Sequence, residues 1–422
     1  MDRRVIMVEP NIRSEDGHYY QNLRAIQSEL QARGIRTAIV GCTDSDVACR
    51  QLPTFYPVFS HLPARGTGAI ARFAWTVVSS WHFYQDLGTV LGGSSRIRLE
   101  PYDVLFMNTV LDTQILGWGY FLWRRSSEFK KLGLKFVFLL KFRPTRRSRL
   151  YTALIEMASW IAFGRLMRPL REQVVLCTES ELVQKEYIDL LNLPIPVLPL
   201  PIAVNWIEND CRIFVPPLTI TYLGGDVYYK GFDLLVEAIA RLVQGRPRQC
   251  RFKLQVEAPN RETRPWHHQV LTPMERLGEL MRTTDIIELV PESLPTTEYL
   301  SLLRATDVFV LPYRSIHYAA STSGVFAEAL SLGKIPVVPE GTWMSQELAR
   351  LDIEGLTFKQ GDVEDLARVL GRVIEDHLQF RERMAQAGRD WQSCHNPQTF
   401  VDALLARLGW EAPGVSKVGL QT

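Results

Sequence analysis

Nine short apolar runs, most of them rich in β-branched residues, recur along the chain with helical patterns between them: Val5–Val8, Thr37–Val40, Asp103–Met107, Lys135–Leu140, Val174–Cys177, Thr219–Leu223, Phe252–Val256, Val308–Leu311 and Pro336–Val338. A strand that is apolar on both faces cannot lie against water on either, so helices must cover both sides of its sheet. That is an α/β fold with parallel strands joined by helical crossovers. At 422 residues the chain is long for one core, and two units of roughly 200 residues each are expected.

The same plan begins twice. Arg4–Glu9 reads as a strand, Pro10–Gly17 as a polar loop, His18–Arg33 as an amphipathic helix closed by Gly34, and Arg36–Val40 as the next strand. Thr219–Leu223, Gly224–Lys230, Phe232–Leu242 and Phe252–Val256 repeat it. Between them Leu198–Pro217 carries Pro199, Pro201, Pro216 and Pro217 and little periodicity, as an interdomain connector does. The expected division is a Rossmann-like domain over residues 1–205, a second over 206–395, and a final segment, 396–422, whose amphipathic Phe400–Leu408 returns to the first. Two doubly wound parallel sheets would face one another across a cleft lined by the carboxyl ends of their strands, where ligands of such sheets bind.

Composition excludes several classes. With 46% hydrophobic and 22% charged residues the chain is neither disordered nor fibrous. A net charge of +2 and the absence of helix-turn-helix, finger or RNA-binding signatures argue against nucleic acid. Six cysteines without a C-x-x-C pair suggest neither a disulfide framework nor a zinc site. The opening MDRRVIMVEP has no small-residue cleavage site, and the two longest apolar stretches are broken by prolines or by Asn108, Asp112 and Gln114. A cytoplasmic protein without a spanning helix is expected.

Chemistry concentrates in the second half. In TYLGGDVYYKGFDLL, Gly224 and Gly225 after a strand let backbone approach a ligand, and Lys230 before the helix supplies a mobile positive charge suited to phosphate. Further on, Val308–Leu311 runs into the small-residue loop Ala319–Gly324 and then a helix. Ser321, Thr322 and Ser323 can cap that helix, and the amides near Ser323, Gly324 and Val325 form an anion site built from backbone. Glu328 is an acid in an otherwise apolar turn, placed to accept hydrogen bonds from ribose hydroxyls. The plainer readings are a solvated turn lysine and a favourable charge near a helix N-terminus.

Lys230 with GFDLL, then DVFVLPY, then a small-residue loop ending in EALSLGKIPVV, resembles the donor domain of glycosyltransferase family 4, the group 1 type with the GT-B fold. GHYYQNLRAIQSELQARG, opening at Gly17, is similar to the family's first loop and helix, where the glycine admits the donor. The resemblance implies transfer of a sugar from a nucleotide diphosphate sugar to an acceptor hydroxyl, without metal or further cofactor and with retention. Lys230 and the amides at Ser323–Val325 would neutralise the leaving diphosphate, and Glu328 would hold the ribose. Two positions depart from the pattern. Ala320 stands where the family has a glutamate that touches the donor sugar, and Gly225 where it has an arginine. Arg314 is the candidate to replace that diphosphate contact, and His18, with Glu15 and Asp16 beside it, to contact donor or acceptor. Two other readings are a nucleotide-sugar epimerase or hydrolase, and a non-catalytic sugar-nucleotide sensor. Asp44-Ser45-Asp46 imitates a metal-binding D-x-D, but capping explains it as well, and His267 and His268 lack a third ligand.

Charge is unevenly spread. Residues 1–210 carry a net +5 and 211–422 a net −3, and residues 124–171 alone carry +11. Trp75, Trp81, Trp118, Trp123 and Trp160 fall in or before that stretch. Basic residues beside tryptophan suit an anionic membrane surface, and so an acceptor carried on a lipid or a growing glycan. The plainer reading is that the aromatics pack the core while the arginines solvate its outside.

Overall fold

The structure is a computed structural model that describes residues 3–14, 18–52, 54–60, 69–91, 97–144, 150–204, 217–224, 228–245, 249–256, 271–291 and 294–410. It divides into two units, Met1–Ala203 with His395–Thr422, and Val204–Cys394. Both units are α/β: each carries a six-stranded sheet whose paired strands all run parallel.

The first unit runs β1 (Arg4–Val8), α1 (His18–Ala32), β2 (Arg36–Cys42), α2 (Val47–Arg50), β3 (Phe55–Phe59), α3 (Ala69–Leu91), β4 (Val104–Met107), α4 (Asp112–Arg124), α5 (Ser126–Leu132), β5 (Lys135–Leu140), α6 (Leu150–Leu166), β6 (Val174–Thr178) and α7 (Glu181–Leu191). Its strand order is β3-β2-β1-β4-β5-β6. Alternation along the strands sorts the core onto two faces. Val5, Met7, Val104, Phe106, Val137 and Leu139 join Leu23, Ile26 and Leu30 of α1 in one cluster. On the opposite face the Phe138 ring lies 5.4 Å from Trp118 of α4 and 5.3 Å from Phe163 of α6. Helix α4 is wedged between α3 and α6 by two glycines: a Cβ on Gly117 would lie 2.4 Å from the Ser80 carbonyl oxygen, and one on Gly119 3.0 Å from Leu166.

The second unit runs β7 (Leu218–Leu223), α8 (Phe232–Gly245), β8 (Cys250–Gln255), α9 (Leu271–Thr283), β9 (Ile287–Val290), α10 (Thr296–Ala305), β10 (Val308–Val310), α11 (Ser315–Tyr318), α12 (Gly324–Ser331), β11 (Ile335–Pro339), α13 (Trp343–Arg350), β12 (Thr357–Phe358), α14 (Val363–Glu375) and α15 (His377–Cys394). Its order is β12-β11-β10-β7-β8-β9. The last helix, α16 (Pro397–Leu408), belongs to the first unit, where Phe400, Val401, Leu404 and Leu405 complete the cluster around α1. Asn396 caps it by accepting from the Thr399 amide at 2.9 Å, with Pro397 in its first turn and Gly409 closing it at φ 66°.

Candidate active site

The site elements of the second unit meet at the carboxyl ends of β7 and β10, adjacent strands of its sheet. Directly after β7, Gly224 leaves no room for a side chain, because a Cβ there would lie 2.2 Å from the Tyr222 ring and hydroxyl. Gly225 lies outside the described residues. Tyr228–Lys230 forms a single 3-10 turn ending at Gly231, whose φ of +72° turns the chain into α8. Gly231 presses against the loop after β10, since a Cβ on it would lie 1.9 Å from the Pro312 carbonyl oxygen. That contact brings Lys230 beside Tyr313, with Nζ 5.7 Å from the ring centroid.

Tyr313 is the buried hub of this arrangement. Its hydroxyl donates to the Leu223 carbonyl at 3.4 Å, and its ring lies 4.5 Å from that of Tyr318. Burial pushes its hydroxyl pKa well up, as does the neighbouring Tyr318, while a hydrogen bond with Ser323 opposes the shift and the Glu328 carboxylate adds to it. Lys230, Ser323 and Glu328 thus converge on one side chain. Ser323 caps α12 by accepting from the Phe326 amide at 3.3 Å, which leaves the Gly324 and Val325 amides at the positive end of the helix dipole. One turn on, the half-buried Glu328 accepts a hydrogen bond from the Tyr299 hydroxyl of α10 at 2.5 Å. Burial, then the Glu328 carboxylate, raises the Tyr299 pKa, so that hydroxyl stays protonated as the donor.

The other sequence candidates fall differently. Arg314 stacks 3.9 Å over the Tyr228 ring, donates from Nε to the Tyr228 carbonyl, and places Nη2 2.5 Å from Asp233. It clamps the lysine turn to α8 and the β10 loop, so much of its fork is engaged within the protein. Ala320 is buried and presents only a methyl group. In the first unit His18 is the first residue of α1; its side chain lies outside the described residues, as do Glu15, Asp16 and Gly17. His267 and His268 also lie outside them. Asp46 caps α2 by accepting from the Cys49 amide, and among the described residues no cluster of His, Cys, Asp or Glu could hold a metal ion.

Sequence reading missed Tyr299 and Tyr313, and with them a polar row at the carboxyl edge of the first sheet. Glu9, Asn108, Lys141 and Glu179 directly follow β1, β4, β5 and β6. The signal was available: each is the first strongly polar residue after a buried apolar run. Glu9 accepts from the Asn11 amide at 3.1 Å, from its side chain at 2.9 Å and from Asn108 Nδ2 at 3.0 Å, while Lys141 pairs with Glu179 at 3.3 Å. Burial raises the Glu9 pKa above its ordinary 4.5 despite those donors. Its stabilising contribution is therefore complete below pH 4.5 and is lost as pH climbs through the raised folded value. Urea midpoints followed from mildly acidic to neutral pH should fall for the wild type relative to Glu9→Gln, which carries no titrating group. Parallel curves would show that Glu9 ionises without cost in the fold.

Residues 217–376 match the family described as glycosyl transferases group 1. Similar solved structures include a Candida albicans trehalose-6-phosphate phosphatase N-terminal domain, at 11% identity and TM-score 0.68, covering 98% of this chain and 97% of that one. A sucrose-phosphate synthase from Thermosynechococcus elongatus shares 13% identity at TM-score 0.65, over 97% and 99% of the two chains. An E. coli structure bound with UDP-2-fluoro glucose shares 13% at TM-score 0.68, over 97% and 100%. No curated protein sequence matches the chain.

Proposed function

We propose that this chain, a glycosyltransferase of the GT-B type whose residues 217–376 form a group 1 domain, moves a sugar from a nucleotide diphosphate sugar to an acceptor hydroxyl. The supporting observation is the convergence of Lys230, the N-terminus of α12 and Glu328 on Tyr313. As the bond from the sugar to the diphosphate breaks, negative charge grows on the leaving oxygens. A lysine ammonium and backbone amides already in place stabilise that charge with little reorganisation. Glu328, held by Tyr299, accepts from the ribose hydroxyls. The charge comes from the protein, and the reading calls for no metal and no cofactor beyond the sugar nucleotide. Uridine is the favoured base, since the E. coli structure and one from Anabaena hold uridine nucleotides.

The second unit serves the donor and the first the acceptor, with His18 at the entry of α1 in contact with donor or acceptor. Retention follows the family's habit, and the buried Ala320 leaves the donor sugar without a carboxylate at that position. The acceptor is a lipid-linked or growing glycan met at the cytoplasmic side of a membrane, in glycoconjugate or surface polysaccharide synthesis.

The test is a panel of nucleotide sugars with wild type and Glu328→Gln. Release of nucleoside diphosphate with sugar transfer supports the reading. Release with the sugar passed to water marks a hydrolase, and binding without release a sensor. Glu328→Gln is expected to weaken ribonucleotides roughly tenfold, the worth of one charged hydrogen bond, and 2′-deoxynucleotides less. Equal weakening of both would make Glu328 a helix-end charge.

A further inference from the structure

Helices α3, α4 and α6 form one layer on the first sheet, and each turns an apolar stripe away from it. On α6 the buried residues Glu156, Trp160, Phe163 and Met167 face inward, so Leu154, Ala158, Ile161 and Arg165, half a turn round, face out. On α3 the inward stripe is Ser80, Phe83 and Leu87, and the outward one Val77, Val78 and Trp81. Trp81 is 52% exposed, and Trp123 at the end of α4 is 48% exposed. Tyr120 joins them into a ribbon, with its ring 6.4 Å from Trp81 and 5.8 Å from Trp123. The tryptophans of this region therefore divide: Trp118 and Trp160 are core, at 1% and 2% exposure, while Trp81 and Trp123 are surface.

Positive charge sits at the end of the same layer. Arg124 follows Trp123, Arg165 continues the Ile161 stripe, and Arg168 and Arg171 come just after α6. All four are exposed, and none makes an ion pair among the described residues. We infer that this face of the first unit docks on an anionic lipid bilayer, with Trp81 and Trp123 entering the headgroup region and the arginines pairing with lipid phosphates. Charge selects this occupant. A second copy of the same face would set its arginines against these, whereas an anionic bilayer complements both the arginines and the amphipathic tryptophans. No helix among the described residues is long and apolar enough to cross a membrane, so the contact is peripheral.

The test is flotation of the full chain with vesicles of phosphatidylcholine and phosphatidylglycerol against vesicles of phosphatidylcholine alone. Binding to the anionic vesicles at low salt, lost at high salt, is expected, with a blue shift of tryptophan emission in the bound wild type. Arg165→Ala with Arg168→Ala should weaken binding roughly 25-fold, about fivefold per cation near the surface. Trp81→Ser with Trp123→Ser should weaken it roughly tenfold or more, with unchanged thermal unfolding because both side chains are exposed. No binding of the wild type at low salt overturns the inference, as does undiminished binding by both variants. A concentration-dependent dimer that Trp81→Ser with Trp123→Ser abolishes, without vesicle binding, would hand the face to a second copy.

Discussion

Lys230→Ala is expected to lower turnover roughly 10²–10³-fold, the loss seen when one pre-placed donor to a developing oxyanion is removed. The lysine does not carry the fold. It ends a 3-10 turn, half-buried, with its ammonium over the Tyr313 ring, and removing it leaves the neighbouring glycine contact and the Arg314 clamp intact. Its loss should therefore appear in binding and chemistry rather than in the melting curve. The effect should also be selective, because an ammonium recognises phosphate charge and not the base. Calorimetry with nucleoside diphosphate and with nucleoside separates the two: affinity for the diphosphate should fall steeply and that for the nucleoside barely. Equal loss for both would place Lys230 away from the diphosphate.

Strands buried between neighbours were legible in the sequence, and of the four edge strands only β6 was. The nine apolar runs correspond to β1, β2, β4, β5, β6, β7, β8, β10 and β11, whereas β3, β9 and β12 were missed. All three are edge strands. β3 contains Pro57, β9 exposes Glu288 and Leu289, and β12 has two residues, so none shows the continuous apolar run that marks a strand covered on both faces. The candidate site divides similarly. Lys230, Ser323 and Glu328 were readable because local backbone, a turn before one helix and the cap of another, gives each its place. Tyr299 was not, because it reaches Glu328 across 29 residues through a fold that no local pattern encodes. Arg314 was readable as a charge after a strand, but its engagement with Asp233, 81 residues away in sequence, was not.

Gly231→Ala is expected to destabilise the second unit by about 2–5 kcal/mol, from two separable sources. The first is backbone: φ at +72° lies in the left-handed region, where a Cβ costs about 1–2 kcal/mol. The second is space, since the new methyl would lie 1.9 Å from the Pro312 carbonyl oxygen. Neither group is the flexible end of a side chain, so the turn carrying Lys230 and the loop after β10 must part, at about 1–3 kcal/mol for overpacking. Gly341 supplies the control, with φ of +70° and no atom within 4 Å of its would-be Cβ. Gly341→Ala meets the first cost alone, and Gly231→Asn relieves much of it while keeping the clash. Urea midpoints should thus rank wild type, then Gly341→Ala, with Gly231→Asn and Gly231→Ala both well below. Because parting the loops moves Lys230 off Tyr313, the folded fraction of Gly231→Ala should also lose diphosphate affinity while Gly341→Ala keeps it. Equal destabilisation by the two alanines would mean that conformation, not the contact with Pro312, sets the cost, and that the lysine turn can shift freely.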